Sequence, residues 1–168
     1  MAGGADAHTN GSNGEKSVED ILIKYGLKKL IQNKNDKVTE KEFKINYNWD
    51  GEDVYIDQFP YTSCFNRYEE GKENSCKIDF YIPGYNLVIE VKTQNSHGSK
   101  KEAIPYVIEN LNTGSFRDSK LLLVLLGDKI GKGAIGWAKQ KAKEIDNLEV
   151  FSSLEELDDY ISKLERRP

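Results

Sequence analysis

Between residues 77 and 94 the chain reads KIDFYIPGYNLVIEVKTQ, and few folds accommodate that stretch. Ile78, Phe80 and Ile82 alternate with Asp79 and Tyr81, the period-2 pattern of a strand. Pro83-Gly84 is a turn dipeptide that cannot continue a ladder of backbone hydrogen bonds. Residues 87–91 are a short apolar run of the kind found in buried strands. The stretch therefore predicts a hairpin. Side chains two apart on a strand share a face, so Glu90 and Lys92 point one way and Val91 the other. The hairpin brings Asp79 beside Glu90. Clustered carboxylates repel unless a proton or a cation lies between them. Hard oxygen donors of this kind suit Mg²⁺, which needs only one or two carboxylates and keeps several waters. A lone Glu-x-Lys would be an ordinary surface ion pair; Asp79 on the neighbouring strand sets this stretch apart.

The rest of the chain limits what can surround the hairpin. Its 168 residues are enough for one domain with a substantial core. With 38% hydrophobic and 31% charged residues, a soluble protein is expected. No apolar run approaches a membrane span, and the first residues hold no apolar leader segment, so a cytoplasmic location is expected. Cys64, Cys76, His8 and His97 are too few for a plausible four-ligand zinc site, and the two cysteines read as reduced thiols. Charge is unevenly spread. Residues 92–143 carry 10 basic and 4 acidic side chains, whereas the stretches on either side are each net acidic. A basic segment that begins at Lys92 is the footprint expected for a phosphate backbone; a solvated lysine-rich helix face explains Lys139, Lys141 and Lys143 equally well.

Read in order, residues 1–15 are rich in Gly, Ala, Asn and Ser and are expected to be a flexible N-terminal segment, with the folded domain spanning 16–168. Ser17 is placed to cap a helix running to about residue 32, weakened or split by Gly26. Residues 42–47 alternate as a strand, residues 48–51 carry a turn signal, and 54–59 form a return strand ended by Pro60. Residues 61–75 are aromatic and charged, either a loop facing a ligand or a satellite of the core. Ser99 with Glu102 makes a capping-box pattern for a helix in which Pro105 marks a kink or the true start. Residues 120–126 read as a buried central strand stopped by Gly127, and 127–136 as a flexible connection without a phosphate-loop pattern. A helix over about 134–145, a strand over 148–151 and a helix capped by Ser153 and Glu156 complete the chain. The order α, β hairpins, α, β, α, β, α predicts an α/β three-layer sandwich with a central mixed β-sheet.

Asp79, an apolar strand and then Glu90-Val91-Lys92 resemble the motif of the PD-(D/E)xK nuclease superfamily, with Ile78 where the motif's name has proline. The scattered His97-Gly98-Ser99, Pro105-Tyr106, the strand 121–126 and Trp137-Ala138 resemble the second half of type II restriction endonucleases of that superfamily. The resemblance implies a restriction-endonuclease-like fold and Mg²⁺-dependent hydrolysis of DNA phosphodiesters, with Mn²⁺ as a substitute. Asp79, Glu90 and the backbone carbonyl of Val91 would hold the metal, and Lys92 would complete the catalytic set. A glutamate on the first helix often supports the metal in this superfamily, and Glu15 and Glu19 are the candidates; Glu19, in the first helical turn, serves the helix dipole equally well. Gln94, His97, Lys100 and Lys101 follow the motif as candidate DNA contacts. The expected partners are double-stranded DNA and either a second copy or a larger DNA-recognition subunit. A homing endonuclease, a junction resolvase or a non-catalytic DNA-binding subunit on the same fold are the alternatives.

Overall fold

Six strands form one mixed sheet whose spatial order follows the chain. The computed structural model describes residues 3–30 and 53–165, with side chains of the first helix from residue 13 onward. The strand expected over 42–47 and the turn over 48–51 lie outside the described residues. Helix α1 (Gly3–Lys24) leads into the short strand β1 (Lys28–Lys29). β2 (Val54–Tyr61), β3 (Cys76–Ile82) and β4 (Leu87–Thr93) follow. Then come α2 (Ile104–Asn112), β5 (Lys120–Leu126), α3 (Lys132–Glu144), β6 (Leu148–Phe151) and α4 (Leu154–Ser162). β2, β3 and β4 pair antiparallel, whereas β1 with β2, β4 with β5 and β5 with β6 are parallel.

Helices cover both faces, giving the three layers that the order of elements predicts. On one face Ile104, Val107, Ile108 and Leu111 of α2 and Ala138 of α3 pack on Leu121, Leu123 and Leu125. On the other, Val18, Ile21 and Leu22 of α1 and Leu157 and Ile161 of α4 pack on Leu122 and Val124. β5 therefore reads as an unbroken apolar run because it is buried on both sides. The β3–β4 turn is a 3-10 turn at Pro83–Tyr85, closed by Asn86 in the left-handed region. α4 opens on the expected cap, Ser153 Oγ accepting the Glu156 N–H at 3.1 Å, but Glu156 Oε2 accepts the N–H of Ser152, one residue before the cap, at 3.0 Å.

Four local expectations need correction. α1 begins at Gly3, so helix replaces the flexible segment expected up to residue 15, and Ser17 lies inside it, donating back to the Asn13 carbonyl at 2.9 Å. The small residues there hide a helical period; one of them, Gly14, is small because Thr93 of β4 lies where its side chain would go. α1 stops at Lys24 rather than near residue 32. Gly26, at φ +85°, donates to the Ile23 carbonyl and Leu27 to the Leu22 carbonyl, which closes the helix in a Schellman motif. Pro60 lies within β2 instead of ending it, opposite Lys77; among the described residues β1 reaches only Val54 and Tyr55, so Pro60 sits on an edge where a missing donor is tolerated. Ser99 makes no side-chain cap; residues Lys100–Ala103 form a 3-10 turn and Pro105 marks the true start of α2. Residues 127–131 are tied to the site strand, with the Lys129 N–H on the Gln94 carbonyl. Cys64 and Cys76 are free, half-buried thiols.

Candidate active site

β3 and β4 pair regularly from Ile82↔Leu87 to Phe80↔Ile89 and then part. Beyond that point carboxylates take over the bonds of the ladder. Asp79 Oδ2 accepts the Val91 N–H at 2.7 Å, and Glu90 Oε2 accepts the Asp79 N–H at 3.4 Å. Lys92 Nζ donates to Glu90 Oε1 at 2.7 Å. On the other side of Asp79, Gln58 Nε2 of β2 donates to Oδ1 at 3.4 Å. Val91 packs into the α1–α4 layer, which leaves Glu90 and Lys92 on the opposite face. The structure thus brings Asp79, Glu90 and Lys92 together at the mouth of the parted strands.

The two acids are only 8% and 9% exposed, and their charges are poorly compensated. Burial raises the Asp79 carboxyl to about 6, against the pull of the Val91 N–H, and the charge of Glu15 adds to the rise. Burial and then the charge of Asp79 push Glu90 up to about 7, despite Lys92. Burial alone would lower the Lys92 ammonium, but Glu90, Asp79 and Glu15 outweigh it and hold the group above its ordinary value. These acids therefore favour the charged form of Lys92 in the metal-free site. Tyr61 stands near enough to Glu90 that its hydroxyl, already raised by burial, is raised further.

The glutamate of α1 that faces Asp79 is Glu15, not Glu19. Glu15 stands close enough to Asp79 that its charge, and then a side-chain hydrogen bond, raise the Asp79 carboxyl. Glu19, one turn on, lies 3.8 Å from Lys29 Nζ and 3.9 Å from Lys16 Nζ and interacts with Tyr55, so a metal-supporting role for it is not supported. The difference comes from how α1 lies on the sheet, where Gly14 comes close against Thr93. Gln94 also needs correction as a DNA contact. It is buried, and its Nε2 donates to the carbonyls of Ser96 at 3.1 Å and Gly98 at 2.7 Å, holding the following loop. His97 and Lys101 are exposed and Lys100 half-buried, on the loop and 3-10 turn that follow β4. Residues 61–75 divide between the two roles open to them. Tyr61 packs against Phe116 with ring centres 4.9 Å apart, whereas Phe65 stacks on Tyr106 and, like Tyr68, is exposed. Gln58 carried no signal as a site residue, and Glu15 was one of two candidates on the first helix; each reaches Asp79 only through tertiary structure.

A cavity of about 180 Å³ bounded by Tyr61, Arg67, Ile78 and Phe116 is not lined by Asp79, Glu90 or Lys92. Among the described residues no three His, Cys, Asp or Glu side chains form a ready metal cluster. The donor chemistry nonetheless fits a hard divalent cation: two adjacent, buried carboxylates with raised affinity for a proton lack positive charge, and the peptide carbonyl of Val91 directly follows Glu90 in sequence. His and Cys, the ligands of softer metals, are not among these groups.

A mixed sheet between helices, parted where an aspartate, a glutamate and a lysine meet, is the layout of a nuclease domain. A family model described as the PD-(D/E)XK nuclease superfamily domain matches residues 6–166, and the chain belongs to that superfamily. The match begins within the stretch expected to be a flexible segment, in keeping with the early start of α1. No curated protein and no solved structure matches the chain. Among the described residues no helix is long and apolar enough to cross a membrane.

Proposed function

We propose that this nuclease domain is a divalent-metal-dependent DNA endonuclease, a restriction endonuclease or the cleavage subunit of one, acting in the cytoplasm with Mg²⁺ as its ion and Mn²⁺ as a substitute. The observation that carries the reading is the cluster of two buried, charge-starved carboxylates with one ammonium beside them. Asp79 and Glu90, with the Val91 carbonyl, are the groups to hold the ion. When bound, such an ion supplies charge neutralisation at the phosphoryl group and a more acidic water. Lys92 is favoured in its charged form, so its role is electrostatic: it anchors Glu90 and offers a preorganised positive charge to the scissile phosphate as negative charge develops. In that form it has no lone pair to act as a base. Glu15 adds negative charge beside Asp79 and favours a cation there. His97, Lys100 and Lys101 lie on the segment following β4 and are available to phosphates on either side of the cut.

One such site handles one phosphate, and the core uses most of the chain, leaving few side chains for reading base edges. Double-strand cutting then calls for a second copy or a larger recognition subunit. The test is cleavage of supercoiled plasmid by the purified chain with Mg²⁺ and with EDTA, alongside sedimentation on DNA. Nicking with Mg²⁺ only is the expected result. No cleavage under any divalent ion, with DNA still bound, would favour a non-catalytic subunit. Defined double-strand fragments from a chain that stays monomeric would refute the need for a partner.

A further inference from the structure

The β2–β3 pair is interrupted at one position. Asp57↔Phe80 and Phe59↔Ile78 keep the same register, so no residue is inserted, yet Gln58 and Asp79, which stand opposite each other between them, do not pair. Gln58 lies at φ +50°, a left-handed conformation that side-chain-bearing residues seldom take in mid-strand. Side-chain alternation resets at this position on both strands. Val54 and Ile56 face the α2–α3 layer, and so does Phe59, three residues on from Ile56. Phe80 and Ile82 face the α1–α4 layer, whereas Ile78, which a regular strand would place with them, faces the α2–α3 layer. Gln58 is exposed, so burial of its own side chain does not offset the strain.

What the break achieves is visible at Asp79. With the strand phase reset, Gln58 Nε2 meets Asp79 Oδ1 at 3.4 Å while the Val91 N–H holds Oδ2 at 2.7 Å. Gln58 thus serves one carboxylate oxygen and the Val91 N–H the other, with Glu15 beside them. An ionised carboxylate has about four lone-pair sites, so both oxygens keep room for a further partner. We propose that Gln58 is a positioning residue, held in the left-handed region so that its amide fixes the Asp79 carboxylate for a divalent cation. The proposal rests on the metal-dependent reading of the site and adds a residue to it. Groups that orient a metal ligand in this way typically change metal affinity or activity by about 10–100-fold when removed. A break that served only the fold would behave differently: glycine, which is at ease at positive φ, would then be harmless or beneficial in every respect.

The experiment is calorimetric titration with Mn²⁺ in the absence of DNA, with melting temperature and plasmid-cleavage kinetics, on the wild-type chain and Gln58→Gly. The expected result for Gln58→Gly is a melting temperature equal to or above wild type, Mn²⁺ affinity lower by about tenfold or more, and a lower kcat at unchanged KM for DNA. Gln58→Asn tolerates the same φ but is one methylene shorter, and should show the same loss; it decides the matter if the glycine variant does not fold. Wild-type Mn²⁺ affinity in the folded variant, or affinity that falls only in step with melting temperature, overturns the role. A wild-type chain that neither binds Mn²⁺ nor cuts DNA overturns the metal-dependent reading and the role of Gln58 with it. A wild type that does both, beside an equally competent Gln58→Gly chain, overturns only the role.

Discussion

Replacing Asp79 by asparagine should abolish cleavage and yet make the metal-free protein more stable. Burial, with the charge of Glu15, raises the folded-state carboxyl from 3.8 to about 6. At roughly 1.4 kcal/mol per unit, the ionised form costs the fold at most about 3 kcal/mol. Most of that cost is burial, with a part from the charge of Glu15, and local relaxation can absorb some of it, so a single substitution should release about 1–3 kcal/mol. The sign follows from linkage. Well below pH 3.8 the group is protonated in both states and carries no penalty, and near pH 4 the penalty is still small. As pH rises toward 6 and beyond, the unfolded chain ionises freely while the folded chain resists, and wild-type stability falls. Asparagine does not ionise, and its Oδ1 can still accept the Val91 N–H. Its advantage should therefore be small near pH 4, grow through pH 6 and be complete by pH 8. At about 2–4 °C per kcal/mol for a chain of this size, the gap at pH 8 should be roughly 2–12 °C. Thermal unfolding followed by circular dichroism in EDTA, at pH 4 and pH 8, reads it directly. Adding Mg²⁺ at pH 8 should raise the wild type, by about 2.7 kcal/mol at a hundredfold excess over its Kd, and leave the variant where it was. A variant that melts below wild type in EDTA at pH 8, or a gap as wide at pH 4, would refute the reasoning.

Lys92→Ala should slow cleavage by on the order of a hundredfold, the cost of one preorganised charge, while calorimetry still shows metal binding; loss of metal with cleavage intact would reverse the roles assigned. Glu15→Gln should weaken metal affinity by roughly tenfold, as loss of a supporting group does, whereas Glu19→Gln should leave both affinity and rate near wild type. Equal effects of the two would mean that α1 presents another face to the site. Gly14→Ala should destabilise by about 1–2 kcal/mol in urea unfolding, since its methyl would overlap Thr93 Oγ1 and lie 3.3 Å from Thr93 Cβ. Adding Thr93→Ala removes the overlap and should recover most of the loss; no recovery would point to the backbone rather than to that contact.

The parts of the fold visible in the sequence are those fixed by short-range pattern. β3 and β4 could be read because two periodic segments flank a Pro-Gly turn, and α4 because Ser153 caps the Glu156 N–H while Glu156 reaches back to the Ser152 N–H. β5 could be read from its length and the glycine behind it, although leucine favours helix; helices on both faces override that preference. The start of α1 could not. Its contact residue is a glycine, chosen for the space it leaves, and a glycine chosen for space looks the same in sequence as one in a linker. The end of α1 turned on Gly26, which is compatible with a weakened helix until the bonds of Leu27 and Gly26 are seen to close it.

The same division runs through the site. Asp79, Glu90 and Lys92 lie within one hairpin, so local geometry was enough to bring them together. Glu15 and Gln58 reach Asp79 from α1 and β2, and their positions depend on the lie of a helix and on a strand out of phase. Gln94 continues the strand's face on paper, but the chain leaves β4 there and folds its amide inward. Together these groups set three acids, Asp79, Glu90 and Glu15, against the ammonium of Lys92 among the described residues. A phosphate approaching that cluster without a cation meets net repulsion. A cation relieves the repulsion among the acids and the repulsion of the phosphate at once, so each ligand must tighten the other by the same factor. The parted strands thus hold charges that destabilise the empty fold and that a metal ion with its DNA phosphate would satisfy together.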